Sequence, residues 1–227
     1  MSKVDNAEQA AASAAEESPT RRTQEERKAE SERRIIRAAI ELFASQGYLK
    51  TTMNQVGEAA GYTGGLVSHR FGSKEGLLRS ALSHIFKRFN EDQLRPTAEA
   101  ETATDALKAM IEIYLKEVTV RQSRIRALYV IMGEALGAVP EVQGEIAQLN
   151  EGFRKRLAGM VSDGIESGEF ASGVDPQAAA ILILGLLRGV TMQALADPKA
   201  IDLKQVVPLV QASALAGLSR ANHSAER

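Results

Sequence analysis

Apolar positions recur at the helical period from Glu32 almost to the end of the chain. Ile36, Ala39, Ile40 and Phe43 fall on one face, and Gly47 supplies a stop. Thr52, Met53, Asn54 and Gln55 have the T-x-x-Q form of a capping box, so a second helix starts there and carries Met53, Val56 and Ala60 inward. It ends at Gly61, a natural left-handed cap. Thr63 caps a third, short helix running to about Arg70, in which Gly64 and Gly65 lower the intrinsic propensity and leave tertiary packing to hold it. Ser73 caps a longer fourth helix with a double apolar stripe: Leu77, Ala81, Ile85 and Phe89 beside Leu78, Leu82 and Phe86. A stripe of that width suits a helix packed on both sides and able to join two domains. Pro96 and the polar residues around it mark the expected boundary.

Five further helices follow. Leu107, Met110, Ile111, Tyr114 and Val118 define one, and Ile125, Leu128, Tyr129, Met132 and Leu136 the next. Pro140 opens a long one that ends near Gly168. Asp175 and Pro176 combine an N-cap with proline in the first helical position, starting a strongly apolar helix to about Leu195. The last spans roughly Leu203–Leu218, with Pro208 either in its first turn or at a kink. No segment reads as a strand and no repeat is visible, so the expected fold is all-α.

Charge divides the chain further. The formal net charge of -1 hides an uneven distribution. Residues 1–32 carry 5 Lys/Arg against 8 Asp/Glu, residues 33–90 carry 9 against 3, and residues 91–227 carry 14 against 18. The basic segment coincides with the short helices, as expected of a DNA-binding head. The expected organisation is an extension (1–30), a DNA-binding head (31–92), a larger helical body for ligand binding and dimerisation (93–220) and a short tail (221–227). The extension is rich in Ala, Glu, Ser and Gln and reads as disordered or fraying helix. Arg21 and Arg22 resemble a minor-groove arm, although nearby glutamates favour a solvated tail.

No cysteine is present, which removes disulfides and thiolate metal sites. The start lacks the apolar core of a secretory signal, and the longest apolar run, Ala178–Leu187, is half of the ~20 residues a membrane span needs. The expectation is a soluble cytoplasmic protein without a membrane partner.

A short helix, a glycine-containing turn and a second short helix make a helix-turn-helix over Thr52–Arg70. In that geometry the second helix enters the major groove with its N-terminal residues toward the base edges. The segment RRIIRAAIELFASQGYLKTTMNQVGEAAGYTGGLVSHRFGSKEGLL resembles the N-terminal domain of the TetR family of repressors over nearly its whole length. The matching features, in order, are A-x-E-L-F, G-Y, paired threonines, A-A-G-Y-T, and F-G-S-K-E followed by leucines. The body matches in organisation, with a G-E-F…D-P approach to the penultimate helix.

The resemblance implies a DNA-contacting role for particular residues. Thr51 and Thr52 would touch phosphate or cap the first helix of the motif, with Asn54 and Gln55 near the groove edge. Thr63, Gly64, Gly65 and Leu66 would start the recognition helix, Ser68, His69 and Arg70 would occupy its far end, and Lys74 would meet a phosphate from the next helix. Ser68 departs from the family, which usually has a tyrosine there packing on the DNA backbone. Base reading then leans on Thr63, Leu66 and His69, and on DNA shape.

TetR-like bodies bind a small molecule and dimerise through their last two helices. The resemblance therefore implies a homodimer on double-stranded DNA with a near-palindromic operator, and a small-molecule effector of apolar or amphipathic character. Met110, Tyr114, Leu128, Tyr129, Met132, Phe153, Met160 and Met192 are the candidate cavity lining, an adaptable methionine set with tyrosine handles, although a stripe of this kind is more often plain core. Arg188, central in an apolar helix, would meet an acidic ligand group, a helix carbonyl or a neighbouring carboxylate. Gly185 and Gly189 lie four apart and permit close helix approach, within the chain or across a dimer.

Other classes find little support. The sequence has no glycine-rich phosphate loop, H-E-x-x-H or G-x-S-x-G, and Glu112, Glu117 and Glu134 read as solvated charges, so neither catalysis nor a cofactor is expected. His69 has no second histidine at ligand spacing, which favours a DNA edge over a metal. A protein-binding adaptor would not need the basic head.

Overall fold

The computed structural model describes residues 23–219. Arg21, Arg22, most of the expected extension and the 221–227 tail lie outside the described residues. Every regular element among the described residues is helical, as the periodicity predicts. In chain order they are α1 (Gln24–Lys50), α2 (Met53–Ala60), α3 (Gly64–Phe71), α4 (Lys74–Ala98), α5 (Ala103–Val120), α6 (Gln122–Ala135), α7 (Gln143–Glu166), α8 (Pro176–Ala196) and α9 (Leu203–Leu218). Among the described residues the chain divides between Arg33 and Arg34 into two compact units, and everything below lies within the second.

The caps are where the sequence places them. Thr52 accepts the Gln55 amide while the Gln55 side chain accepts the Thr52 amide, a closed capping box. Thr63 accepts the Leu66 amide at 3.2 Å, Ser73 the Gly76 amide at 3.0 Å, and Asp175 the Gln177 amide at 2.8 Å ahead of Pro176. Gly61 closes α2 at φ 76°, a left-handed conformation that any side chain resists.

Several boundaries differ from expectation. Gly47 breaks α1 without ending it: its φ of 84° is non-helical, yet one further helical turn reaches Lys50. α4 runs on through position 96, so the expected boundary falls later, in the turn before α5. Pro140 opens a single 3-10 turn (Pro140–Val142), and the α-helix proper begins at Gln143. Leu136 is the C-cap of α6 and 85% exposed, so it belongs to no core stripe. Pro208 stands inside α9 on its exposed side, where a missing N–H is least costly.

Burial organises two main cores. One gathers Ile35, Ala39, Phe43, Val56, Val67 and the α4 stripe Leu77, Leu78, Ala81, Leu82 and Ile85, and continues into Ala127, Leu128, Ile131, Val142 and Ile146. The head core therefore reaches into α6 and the start of α7. The second joins α5, α7, α8 and α9 around Leu107, Ile111, Leu115, Leu157, Val161, Leu184 and Leu187. The G-E-F segment closes it, because Phe170 lies where a Cβ on Gly164 would have to be. By length and composition α8 could cross a membrane, although the short run Ala178–Leu187 alone could not. Its inner face is buried in the second core.

Glu169 ties the loop after α7 to the start of α5, accepting the Ala103 and Thr104 amides at 2.9 and 3.0 Å. Hydrogen bonds from the Thr104 hydroxyl and amide and from the Ala103 amide bring its carboxyl to about 2, from the ordinary 4.5. A depressed carboxyl contributes stability that is present above its unfolded pKa and lost as pH falls through its folded one. The melting-temperature gap between wild type and Glu169→Gln should therefore be widest above pH 5 and close toward pH 2. Being exposed, the group should give a small gap. A gap independent of pH would contradict this linkage.

Candidate nucleic-acid interface and effector cavity

α2 and α3 cross at very close range, and two glycines permit it. A Cβ on Gly57 would lie 2.7 Å from the Gly64 nitrogen and from the Thr63 carbonyl carbon. A Cβ on Gly64 would lie 2.9 Å from the Asn54 Cα and closer still to its side-chain oxygen. Gly65 differs: its Cβ would meet only the Thr63 hydroxyl, at 3.8 Å, and it faces outward. Gly64 is thus a packing glycine, and Gly65 lies on the open face of α3.

That open face carries Thr63, Gly65, Ser68 and His69, all exposed, with Leu66 and Arg70 half-buried at its margins. Val67 points fully inward and fixes the rotation of the helix. Thr52 is exposed at the N-terminus of α2, where unpaired amides and the helix dipole favour a phosphate.

Three expected DNA contacts, Thr51, Gln55 and Lys74, are engaged within the fold. Thr51 is only 1% exposed, donates to the Gly47 carbonyl at 2.7 Å and accepts from the Gln46 side chain at 3.2 Å. Its hydroxyl is consumed in holding the turn. The Gln55 amide oxygen accepts from both the Thr52 backbone and Gln46. Gln46 was not singled out from the sequence, and nothing local marks it.

Lys74 opens α4 with its ammonium 4.4 Å from the Tyr48 ring centroid and donating to the Leu49 carbonyl at 3.0 Å. Burial lowers its pKa, against an opposing pull from Glu134. Glu134, expected to be solvated, reaches across from α6 and accepts the Tyr48 amide at 2.9 Å and the Leu49 amide at 3.3 Å. The turn that leads into α2 is therefore gripped from α4 and from α6. Glu117 is another correction: it is 7% exposed and pairs with Arg121 at 3.0 Å, whereas Glu112 pairs with Lys116 on the surface as expected.

In the body, Ile85, Phe86, Tyr114, Ile125, Leu128, Tyr129 and Phe153 enclose an apolar cavity of about 20 Å³. That is room for about one water. Four expected lining residues, Tyr114, Leu128, Tyr129 and Phe153, are there; Ile85, Phe86 and Ile125 had been read only as core stripes. Met110 and Met160 pack in the second core and Met132 against the first, none on this cavity. Met192 is 59% exposed and lines nothing internal, because α8 turns that face outward.

Arg188 donates to the Asn150 side-chain oxygen, and its backbone carbonyl lies 3.5 Å from the Tyr129 hydroxyl. The Tyr129 and Tyr114 hydroxyls are 3.4 Å apart. Burial, reinforced by Tyr114, holds the Tyr129 phenol far above its ordinary pKa.

The outer face of α8 presents Ile181, Leu182 and Met192 with Gly185 and Gly189 between them. Leu209, Ala212, Ala216 and Gly217 continue the apolar surface on α9. A Cβ on Gly185, Gly189 or Gly217 would meet no atom within 4 Å among the described residues, so no close helix crossing there requires these glycines.

A capped helix, a left-handed glycine turn and a second helix with an open polar face, set on a helical body, define a helix-turn-helix DNA-binding regulator. Residues 35–81 match the profile of bacterial regulatory proteins of the tetR family, and residues 105–218 match the C-terminal domain of BetI-type transcriptional repressors. The chain belongs to the TetR family of transcriptional regulators. It is 27% identical over 153 residues to the fatty acid metabolism regulator protein of Bacillus subtilis, covering 67% of this chain and 77% of that one. It is also 27% identical over 192 residues to the transcriptional regulator TtgR of Pseudomonas putida, covering 81% and 88%. The crystal structure of the Bacillus subtilis regulator FadR with stearoyl-CoA superposes with a TM-score of 0.75 at 23% identity, covering 82% and 98%.

Proposed function

We propose that this chain is a homodimeric repressor whose two heads read a near-palindromic operator and are released when a small molecule enters the body. The observation that carries the release is the shared ownership of the turn before α2. Ile85 and Phe86 on α4 and Ile125, Leu128 and Tyr129 on α6 line the cavity, and the same two helices hold Tyr48 and Leu49 through Lys74 and Glu134. Tyr129 and Glu134 are five residues apart, about 7.5 Å along α6. A ligand that spreads the cavity walls moves the helices that set the position of α2 and α3.

Thr63, Gly65, Leu66, Ser68, His69 and Arg70 face the groove in this reading, and Thr52 and Lys74 face phosphates. Residues 31–92 act as the reading head and 93–220 as sensor and dimer surface. The exposed apolar faces of α8 and α9 pair with their copies in a four-helix interface, which covers a surface that a monomer rarely leaves open. DNA as a partner places the protein in the cytoplasm, and no catalytic role is assigned.

Selection of duplexes from a random pool by the full-length chain tests this. The expected product is a pair of inverted half-sites with centres ~34–36 Å apart or a multiple of it. Enrichment of a single half-site without symmetry would remove the dimeric reading.

A further inference from the structure

Beside the cavity lies a group of buried polar atoms that the fold itself does not satisfy. The Arg188 side-chain Nε is buried without a hydrogen-bond partner, and no carboxylate pairs with this guanidinium among the described residues. The Thr191 hydroxyl, one turn further along α8, is likewise buried, in a residue with no exposed surface, and makes no hydrogen bond of good geometry, its nearest polar neighbour being the Tyr129 hydroxyl. Both flank Tyr129, whose ring is part of the cavity wall and whose phenol stays protonated and able to donate. Three donors therefore lie together behind the wall of an otherwise apolar chamber, with Tyr129 the one that lines it.

Donors left unpaired in a protein interior are costly, and the half-buried Arg188 guanidinium meets only the neutral Asn150 amide oxygen and no counter-charge among the described residues. The arrangement becomes favourable once an acceptor arrives, and an anionic one satisfies the most. We propose that the effector is an amphipathic anion, with a carboxylate or comparable head on Arg188, Thr191 and Tyr129 and an apolar tail that opens the chamber between Phe86, Leu128 and Phe153. This rests on the reading of the cavity as the effector site. A cationic head is disfavoured by the same guanidinium, and a purely apolar ligand would leave the donors as they are.

The test uses the full-length dimer and saturated chains of eight and twelve carbons bearing a carboxylate, a hydroxyl or an ammonium. Binding is followed by calorimetry, with operator affinity measured in parallel. The carboxylates are expected to bind about 10-fold or more tightly than the alcohols of equal length, and the ammonium compounds more weakly than either. Arg188→Gln should remove that preference while changing alcohol affinity by less than about 2-fold. Thr191→Val, close in shape, should keep the fold and weaken only the carboxylate. Equal affinity for acid and alcohol, loss of both alike in Arg188→Gln and Thr191→Val, or no binding of either acid would overturn the proposal. If the acids bind with the expected preference and the operator is not released, the head-group assignment stands and the release mechanism fails.

Discussion

Gly57→Ala is expected to cost about 1–3 kcal/mol of stability and to reduce operator affinity toward the non-specific level, a loss of about 1,000-fold or more. The added methyl would sit 2.7 Å from backbone atoms of Thr63 and Gly64, which cannot rotate away as a side chain can. The helices must part, and α3 is then presented to the groove at the wrong depth. Gly65→Ala is the control for stability, since its methyl meets only the Thr63 hydroxyl, at an ordinary contact distance of 3.8 Å. It should melt at or slightly above the wild-type temperature, because alanine favours the helix over glycine. If Gly57→Ala melted normally and bound its operator normally, the close crossing would have no functional weight.

Glu134→Ala should have the second largest effect. The carboxylate accepts two amides 85 and 86 residues away in sequence and faces the Lys74 ammonium. Charge-assisted hydrogen bonds of this kind are worth about 1.5–3 kcal/mol where buried, and the partial exposure of Leu49 argues for the lower end. The more informative change is in coupling. Coupling energies of about 1–3 kcal/mol correspond to 5–150-fold effects of ligand on DNA affinity. Glu134→Ala should shrink that factor while leaving ligand affinity for DNA-free protein nearly unchanged. Glu134→Gln, which keeps an acceptor but loses the charge, should fall between the two. An unaltered coupling factor in Glu134→Ala would place the transmission in α4 alone.

The contrast between these residues explains what was legible in the sequence. Thr52 with Gln55, Thr63, Ser73 and Asp175 with Pro176 act on amides within three residues, so their partners could be read directly. Helix periodicity likewise gave each element and most of the core. Gly57 and Gly64 matter only because α2 and α3 cross where they do, and no local pattern encodes that crossing. Glu134 lies in an amphipathic helix among other carboxylates, and only the approach of the α1 turn distinguishes it from Glu112. Thr51 belongs to the recognised motif, yet its hydroxyl is spent on the Gly47 carbonyl, which the motif alone does not reveal. In the body, side-chain type was a poor guide to the cavity: aromatic and branched residues line it, while Met192 faces out because α8 is apolar on both sides.

The open face of α3 is expected to read a specific duplex. Fluorescence anisotropy of a pool-selected duplex against a scrambled one, across a salt series, tests it most directly. Discrimination of about 1,000-fold or more is expected, with affinity falling steeply with salt by about 0.9 in log–log slope per phosphate neutralised. Equal, weak binding to both duplexes at every salt concentration would contradict it.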